Sequence, residues 1–404
     1  MFSKFIVLLF SSFLVLVSFC QCTSQQTTPL TKATEAVKET PLVMGAAQIS
    51  SYLHILEGKK IGLVVNNTSL VQATHLLDTL LLSGVDVVKI FAPEHGFRGN
   101  AENGAHIKDE TDLATGLPII SLHGKNKKPT AEQIKGLDIL VFDMQDVGVR
   151  FYTYYCTMFY VMQAAAESHI AVMVLDRPNP NGHYVDGPIL DTVTCRSFVG
   201  LLPIPIVHGL TLGEMAHMIN GEGWLGKNKT CALKVIPIQH YTHTTPYILP
   251  IPPSPNLPNA QSVLLYPSVC LFEGTKFSLG RGTQFPFQVA GYPDTVFGKF
   301  TFTPVPIPGK SEVPPLMNKK CYGIDLRNVP VNGFTLKYLL DMYKKDPNKS
   351  TFFISFFEKL IGNQKVRGMI ERGDSEETIK ASWATELNTY KTMRKKYLLY
   401  TDFE

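Results

Sequence analysis

Four short segments of this 404-residue chain combine carboxylates with amides, arginines and aromatics. They are Asn66-Asn67-Thr68, the run Pro93-Glu94-His95-Gly96-Phe97-Arg98, the run from Asp143 to Tyr152, and Asp176-Arg177-Pro178-Asn179. If Glu94, Asp143, Asp146 and Asp176 share one crevice, their mutual repulsion raises the pKa of at least one of them. A protonated carboxyl beside an ionised one is the equipment for cleaving a glycosidic bond. Arg98 and Arg150 offer the planar, two-pronged geometry that binds an acidic substrate group. Tyr152 and Phe97 supply faces on which a sugar ring can stack, and Asn66, Asn179 and Asp176 supply further polar contacts.

Each residue also has a plain structural alternative. Asp143 and Asp176 could accept hydrogen bonds from loop amides or cap a following helix. Arg98 and Arg150 could pair with Asp146, and His95 could simply orient Glu94. No second ligand stands at a recognisable spacing from His95, so no metal site is expected. Of the two aspartates after Phe142, Asp146 is the expected functional one. It lies three residues further from the strand and precedes Gly148, which allows close approach of the backbone to a ligand. Later in the chain Asn256, Glu273 and Arg281 form a second polar group. Glu273 and Arg281 read either as a buried ion pair or as an arginine loop closing on substrate.

The elements that would position these residues follow from hydrophobic patterning. Short apolar runs at Ile61–Val65, Val85–Phe91, Pro118–Leu122, Leu137–Phe142 and Ile170–Leu175 alternate with helical patterns at Leu70–Leu82 and Phe151–Glu167. Such near-continuous strands belong to a parallel sheet buried on both faces. The predicted fold is therefore α/β: a Rossmann-like, doubly wound parallel sheet, extended by Ile204–Val207, helix Leu212–Asn220 and Cys231–Ile238. In such a sheet ligands bind beyond the carboxyl ends of the strands, where the four segments fall. The five prolines of Leu249–Asn259 exclude a central strand or helix and suggest a domain boundary. A smaller α+β domain is expected beyond it, with helices at Leu336–Tyr343 and Phe352–Leu360. The expected division is 44–255 and 256–404.

Composition narrows the function. With 38 Lys+Arg against 34 Asp+Glu, the net charge of +4 is too small for a nucleic-acid footprint. No G-x-G-x-x-G follows the first strand, so a nucleotide cofactor is not expected, nor any other cofactor. Apart from Cys20 and Cys22, five scattered cysteines exclude a disulfide scaffold, leaving room for one bridge. Lys4 followed by the apolar run Phe5–Phe19 reads as an export signal over residues 1–22, with an uncleaved anchor as the alternative. The Ser/Thr/Gln-rich stretch over 23–43 reads as a flexible tether. Cys20 and Cys22 resemble lipoprotein attachment sites, although Phe19 and Gln21 are bulkier than the small residue usual there. The expected location is outside the cytoplasm, periplasmic or held to a membrane by lipid.

These segments resemble the NamZ/YbbC-type exo-β-N-acetylmuramidases, glycoside hydrolases that remove terminal N-acetylmuramic acid from peptidoglycan fragments. The resemblance spans Met44 to Tyr400. It is carried by FAPEHGFRG (91–99), DMQDVGVRFYTY (143–154), VLDRPNPNG (174–182), VDGPIL (185–190), FVGLLPIPIVHGLTLGE (198–214), PPSPNLP (252–258), LYPSVCLFEGTKFSLGRGT (265–283) and YLLY (397–400). It implies a Rossmann-like domain, a smaller C-terminal domain and an active site in the cleft between them, acting from the non-reducing end without a nucleotide. It makes Glu94 the leading catalytic carboxylate. Muramic acid carries a lactyl carboxylate, for which Arg150 and Arg281 are the candidate readers. A non-catalytic muropeptide-binding lipoprotein is the competing reading, and an oxidoreductase is weakened by the missing glycine fingerprint.

Overall fold

The computed structural model describes residues 40–93, 97, 110–124 and 126–404. The leader, Cys20, Cys22, Glu94, His95 and Arg98 lie outside the described residues. Pro41–Glu404 forms one compact unit. Its strands are β1 (Lys60–Val65), β2 (Leu70–Val71), β3 (Thr74–His75), β4 (Asp86–Ala92), β5 (Glu110–Thr111), β6 (Pro118–Ser121), β7 (Ile139–Asp143), β8 (Ala171–Leu175) and β9 (Leu233–Ile236). Three more, β10 (Val289–Tyr292), β11 (Phe300–Phe302) and β12 (Cys321–Asp325), follow in the C-terminal part.

Seven strands form one sheet in the order β5-β6-β4-β1-β7-β8-β9, parallel except for β5 at the edge. From β1 the chain steps outward through β4 and β6, then returns to the other flank of β1 for β7, β8 and β9. The direction of winding therefore reverses between β1 and β7, the place where open α/β sheets form a ligand crevice. All five residues of β7 and five of the six in β1 are buried. Alternate residues serve opposite faces, as the two-residue period of a strand requires. Ile61, Leu63 and Val65 join Tyr52, Leu76 and Leu80 in one core layer, whereas Val64, Leu140 and Phe142 join Met158, Val161 and Met215 in the other.

The helices of this part are α1 (Ile49–Leu56), α2 (Leu76–Leu82), α3 (Ala131–Ile134), α4 (Tyr154–Ser168) and α5 (Leu212–Gly221). Ten residues of α4 are buried, so it is an internal helix, apolar around most of its circumference. Helix α5 opens with a reciprocal cap in which Thr211 and Glu214 satisfy each other's backbone amides. After α6 (Ala260–Val269), β10, β12 and β11 form a small antiparallel sheet in that order. Helices α7 (Lys337–Lys345), α8 (Phe357–Ile361), α9 (Lys365–Arg372), α10 (Glu376–Ala381) and α11 (Ala384–Arg394) complete the chain. The fold is thus the α/β class read from the sequence, with a smaller antiparallel sheet in its second half.

Three expected elements differ. The helix expected over Leu70–Leu82 begins only at Leu76, because Leu70–Val71 and Thr74–His75 pair as a tiny hairpin and His75 Nδ1 caps the helix by accepting from the Leu77 amide. Ile204–Val207 is not a strand. Pro203 and Pro205 remove ladder donors on either side of Ile204, and Val207 makes only isolated bridges to Val149 and Asp186. The helix expected at Phe352–Leu360 is confined to α8, since Phe352 and Ile354 are held by backbone bonds to Lys276 and Gly274. Leu249–Asn259 contains neither helix nor strand. The five cysteines in the described residues are all free and buried.

Candidate active site

Several polar residues at the strand ends hold the fold and do not face a ligand, which corrects their assignment as catalytic or substrate-binding groups. Asp143, the last residue of β7, is fully buried and grips Arg177 through both oxygens, with Arg177 Nη2 2.8 Å from Oδ2. Asp176 is equally buried. Its Oδ2 accepts from Thr211 Oγ1 at 2.7 Å and Tyr400 OH at 2.6 Å, and its Oδ1 accepts from the Gly213 amide at 2.8 Å. Burial pushes the Asp176 carboxyl up to about 6, while these donors pull it back. Asn66 Oδ1 closes its own turn by accepting from the Thr68 amide and hydroxyl. Asn179 bridges two loops, donating to Leu210 O and accepting from the Asn181 amide, both at 2.8 Å.

Arg150 is the clearest departure. It is 0 % exposed, and its two terminal nitrogens donate to Pro188 O, Ile204 O, Leu360 O and Ile361 O at 2.8 to 2.9 Å. Burial without a carboxylate partner lowers its pKa to about 10. It pins the excursion after β8 to the α8 terminus and has no terminal N–H left for a substrate carboxylate.

Asp146 is also not where a cavity-facing acid would be. It is 6 % exposed, its Oδ1 accepts from the Gly148 amide at 2.7 Å, and its Oδ2 has no partner among the described residues. Gly148 sits at φ +76, and a Cβ there would fall 2.1 Å from Asn179 Oδ1, so only glycine allows this turn. Burial pushes the Asp146 carboxyl up to about 7. His208 Nε2 lies 3.9 Å away, and burial lowers that imidazole to about 3, so it is neutral. Because His208 Nδ1 accepts from the Leu210 amide, the ring proton is on Nε2, facing Asp146.

The remaining candidates among the described residues, Tyr152, Asn256, Glu273 and Arg281, converge. A cavity of about 310 Å³ is walled by His123, Tyr152, Tyr154, Asn256, Glu273 and Arg281, with Phe287 and Phe356 among its apolar neighbours. Arg281 Nε donates to Glu273 Oε1 at 2.7 Å, and the guanidinium lies 5.0 Å from the centre of the Phe287 ring. The pair is therefore an ion pair that lines a cavity. Tyr152 is fixed by donation to Pro253 O at 2.7 Å and by edge contact with Tyr154 at 4.9 Å. Asn256 is fixed by donation to Lys310 O at 2.9 Å. The proline-rich segment thus forms a rigid wall behind the aromatic floor.

Two wall residues escaped the sequence reading. His123 follows β6, and the rule that ligands sit beyond strand ends applies to it as to the other strands. Tyr266 reaches the cavity from α6, where its neighbours Leu265 and Val269 make it read as core. The end of β6 matters, since Ser121 pairs with Ala92 at the end of β4, and the Glu94 segment follows directly in sequence. Among the described residues no group of three or more His, Cys, Asp or Glu is arranged to hold a metal, and no helix is long and apolar enough to cross a membrane.

A Rossmann-ordered sheet whose carboxyl edge carries a small cavity with an ion-paired carboxylate, amides and aromatic rings defines an α/β protein built to take a polar small molecule. Models of the N-terminal and C-terminal parts of exo-β-N-acetylmuramidase NamZ match residues 61–261 and 264–400, and the chain belongs to this family. It is 38 % identical over 384 residues to the peptidoglycan β-N-acetylmuramidase NamZ of Bacillus subtilis (strain 168), covering 87 % of this chain and 89 % of that protein. Two crystal structures of DUF1343 family proteins from Bacteroides fragilis NCTC 9343 share the fold. One is 50 % identical with a TM-score of 0.84, covering 90 % of this chain and 100 % of its own; the other is 27 % identical with a TM-score of 0.77, covering 89 % and 99 %.

Proposed function

We propose that this protein is an exo-acting glycosidase that releases terminal β-linked N-acetylmuramic acid from the non-reducing ends of peptidoglycan fragments, with the 310 Å³ cavity as its sugar site. One observation carries the reading. The cavity joins Tyr152 and Asn256 of the first matched stretch to the Glu273–Arg281 ion pair of the second. A cavity of that order suits one sugar unit, as exo action needs. An acid donates its proton to the glycosidic oxygen as the bond breaks, and water ends on the anomeric carbon. Glu94, by the PEHG motif, is the donor. Glu273, the carboxylate on the cavity wall among the described residues, replaces Asp146 as the second acid. Arg281 is the reader of the lactyl carboxylate.

The test is release of chromophore from a β-N-acetylmuramide by the purified protein. Turnover supports the glycosidase, and tight binding without turnover would leave the non-catalytic binding lipoprotein. We further propose export through the Phe5–Phe19 leader, with lipid attached at Cys20 or Cys22. The intact mass of the protein purified from membranes checks this, since a mature chain beginning elsewhere would overturn it.

A further inference from the structure

A second cavity, of about 470 Å³, opens at the same edge of the sheet on the other side of the proline-rich segment. Its polar wall residues include one from each of the three strand ends around the winding reversal, Thr68 after β1, Gln145 after β7 and Arg177 after β8, with Gln72 added from the β2–β3 turn. Leu42, Leu249 and Ile251 line it with apolar surface, and none of its wall residues is shared with the sugar cavity.

Arg177 is the informative group. It is 8 % exposed, and a guanidinium carries five N–H donors. Nε and one hydrogen of Nη2 serve Asp143, and the other hydrogen of Nη2 serves Leu70 O at 2.9 Å. Both hydrogens of Nη1 are left without an acceptor among the described residues. Asp143 keeps the guanidinium charged and holds it rigidly through Nε and Nη2, leaving its outer edge to bind. Gln145 is fixed in a similar way. Its Nε2 donates to Asp146 O at 2.8 Å and Pro178 O at 2.7 Å, so Oε1 is the atom available to accept from a ligand. Tyr247 lines the same wall, its hydroxyl without a hydrogen bond among the described residues and close enough to feel the charge of Arg177.

A fixed cationic donor edge, a nearby amide acceptor and an aliphatic wall match the end of a short apolar peptide. The carboxylate would meet Arg177 Nη1, the last peptide N–H would meet Gln145 Oε1, and small aliphatic side chains would pack on Leu249 and Ile251. We infer that this second cavity is a binding site for a small apolar peptide with a free carboxylate, separate from the sugar site. The site stands whether or not the muramidase reading does.

Calorimetric titration of the purified protein with N-acetyl-alanyl-alanine, and with the same dipeptide as its carboxamide, tests the inference. The free carboxylate is expected to bind and the carboxamide to bind at least about tenfold more weakly, the usual worth of a charge-assisted contact. Arg177→Lys should weaken binding similarly by removing the planar edge. Because that change touches the buried pair with Asp143, Leu42→Trp provides the second variant: it fills the cavity from outside the proline-rich wall of the sugar site, leaves Arg177 in place and should abolish dipeptide binding while muramide hydrolysis is unchanged. No binding of the carboxylate at about 10 mM, equal binding of the carboxamide, or undiminished binding by Leu42→Trp would each overturn the inference. Absence of muramide turnover in the wild type would instead count against the proposed function alone.

Discussion

The Tyr400 hydroxyl donates to Asp176 Oδ2 at 2.6 Å, fastening the end of the chain to the carboxyl end of β8. The same hydroxyl accepts from the Ile238 amide at 2.9 Å. Nearby, Glu214 Oε1 accepts from the Leu399 amide at 2.9 Å and faces His243 Nε2 at 3.0 Å, while His243 Nδ1 faces Gly182 O at 3.1 Å. Fully buried Arg394 donates to Gly209 O and, with both terminal nitrogens, to Asp402. The C-terminal residues are therefore part of the sheet's polar edge. Tyr400→Phe removes one donor from a buried carboxylate and should lower stability by about 1–3 kcal/mol, measured by equilibrium urea unfolding. An unchanged midpoint would show that the remaining donors suffice.

Asp146 and pH are linked in a way that fixes a sign. Its carboxyl titrates at about 7 in the folded protein and at 3.8 in the reference state, because burial disfavours the charged form. Between those values the unfolded chain has lost a proton that the folded protein keeps, so this group's contribution to stability is full below about pH 4 and falls as pH rises toward 7. Asn imitates the protonated acid, still accepting from the Gly148 amide. Asp146→Asn should therefore match the wild type near pH 4 and melt higher than it near pH 7. A variant that melts lower at both values would contradict the burial account.

Arg150 tests the distinction between a fold residue and a reader of substrate. Replacing it by methionine strands four carbonyls that now share two nitrogens, and stability should drop by about 3 kcal/mol or more. The preference for a muramide over a glucosaminide, measured as the ratio of kcat/KM on the folded fraction, should not change. A lost preference in a stably folded variant would return Arg150 to the site.

Why Arg150 and Arg281 part ways is instructive about what the sequence makes legible. The parallel sheet, its double winding and the polar edge follow from apolar run lengths and from the rule that ligands sit beyond strand ends, whereas the strand order does not: β1 separates β4 from β7, which Asp146 and Glu94 as partners would have needed side by side. Which polar residue faces outward does not follow, because burial depends on distant chain. Arg150 is covered by Leu360 and Ile361, more than two hundred residues away, and Asp176 is capped by Tyr400. Glu273 and Arg281 were legible as a pair from their spacing, but only the packing of Tyr152, Asn256 and Phe287 around them makes a cavity. Arg177 stands in the strand-end segment after β8, but its pairing with Asp143 on β7 depends on the sheet bringing the two strand ends together.

The two carboxylates assigned to the reaction predict different losses. Glu94→Gln keeps shape and removes the transferable proton, and should lower kcat by roughly 10²–10⁴-fold. Glu273→Gln also loosens Arg281, so it should lower kcat and raise KM on the muramide together. Steady-state kinetics on one chromogenic substrate reads both. More than about half the wild-type kcat in Glu94→Gln would remove that residue from the mechanism.

If muramic acid is recognised in the cavity walled by Arg281, the muramide-to-glucosaminide ratio of kcat/KM must differ between the wild type and Arg281→Ala. The lactyl carboxylate is what distinguishes the two sugars, so its loss of an arginine partner should cost roughly 10–100-fold on the muramide and little on the glucosaminide. A wild-type preference that collapses in Arg281→Ala is the predicted result. A preference that survives the substitution intact would contradict the assignment of this cavity as the sugar site.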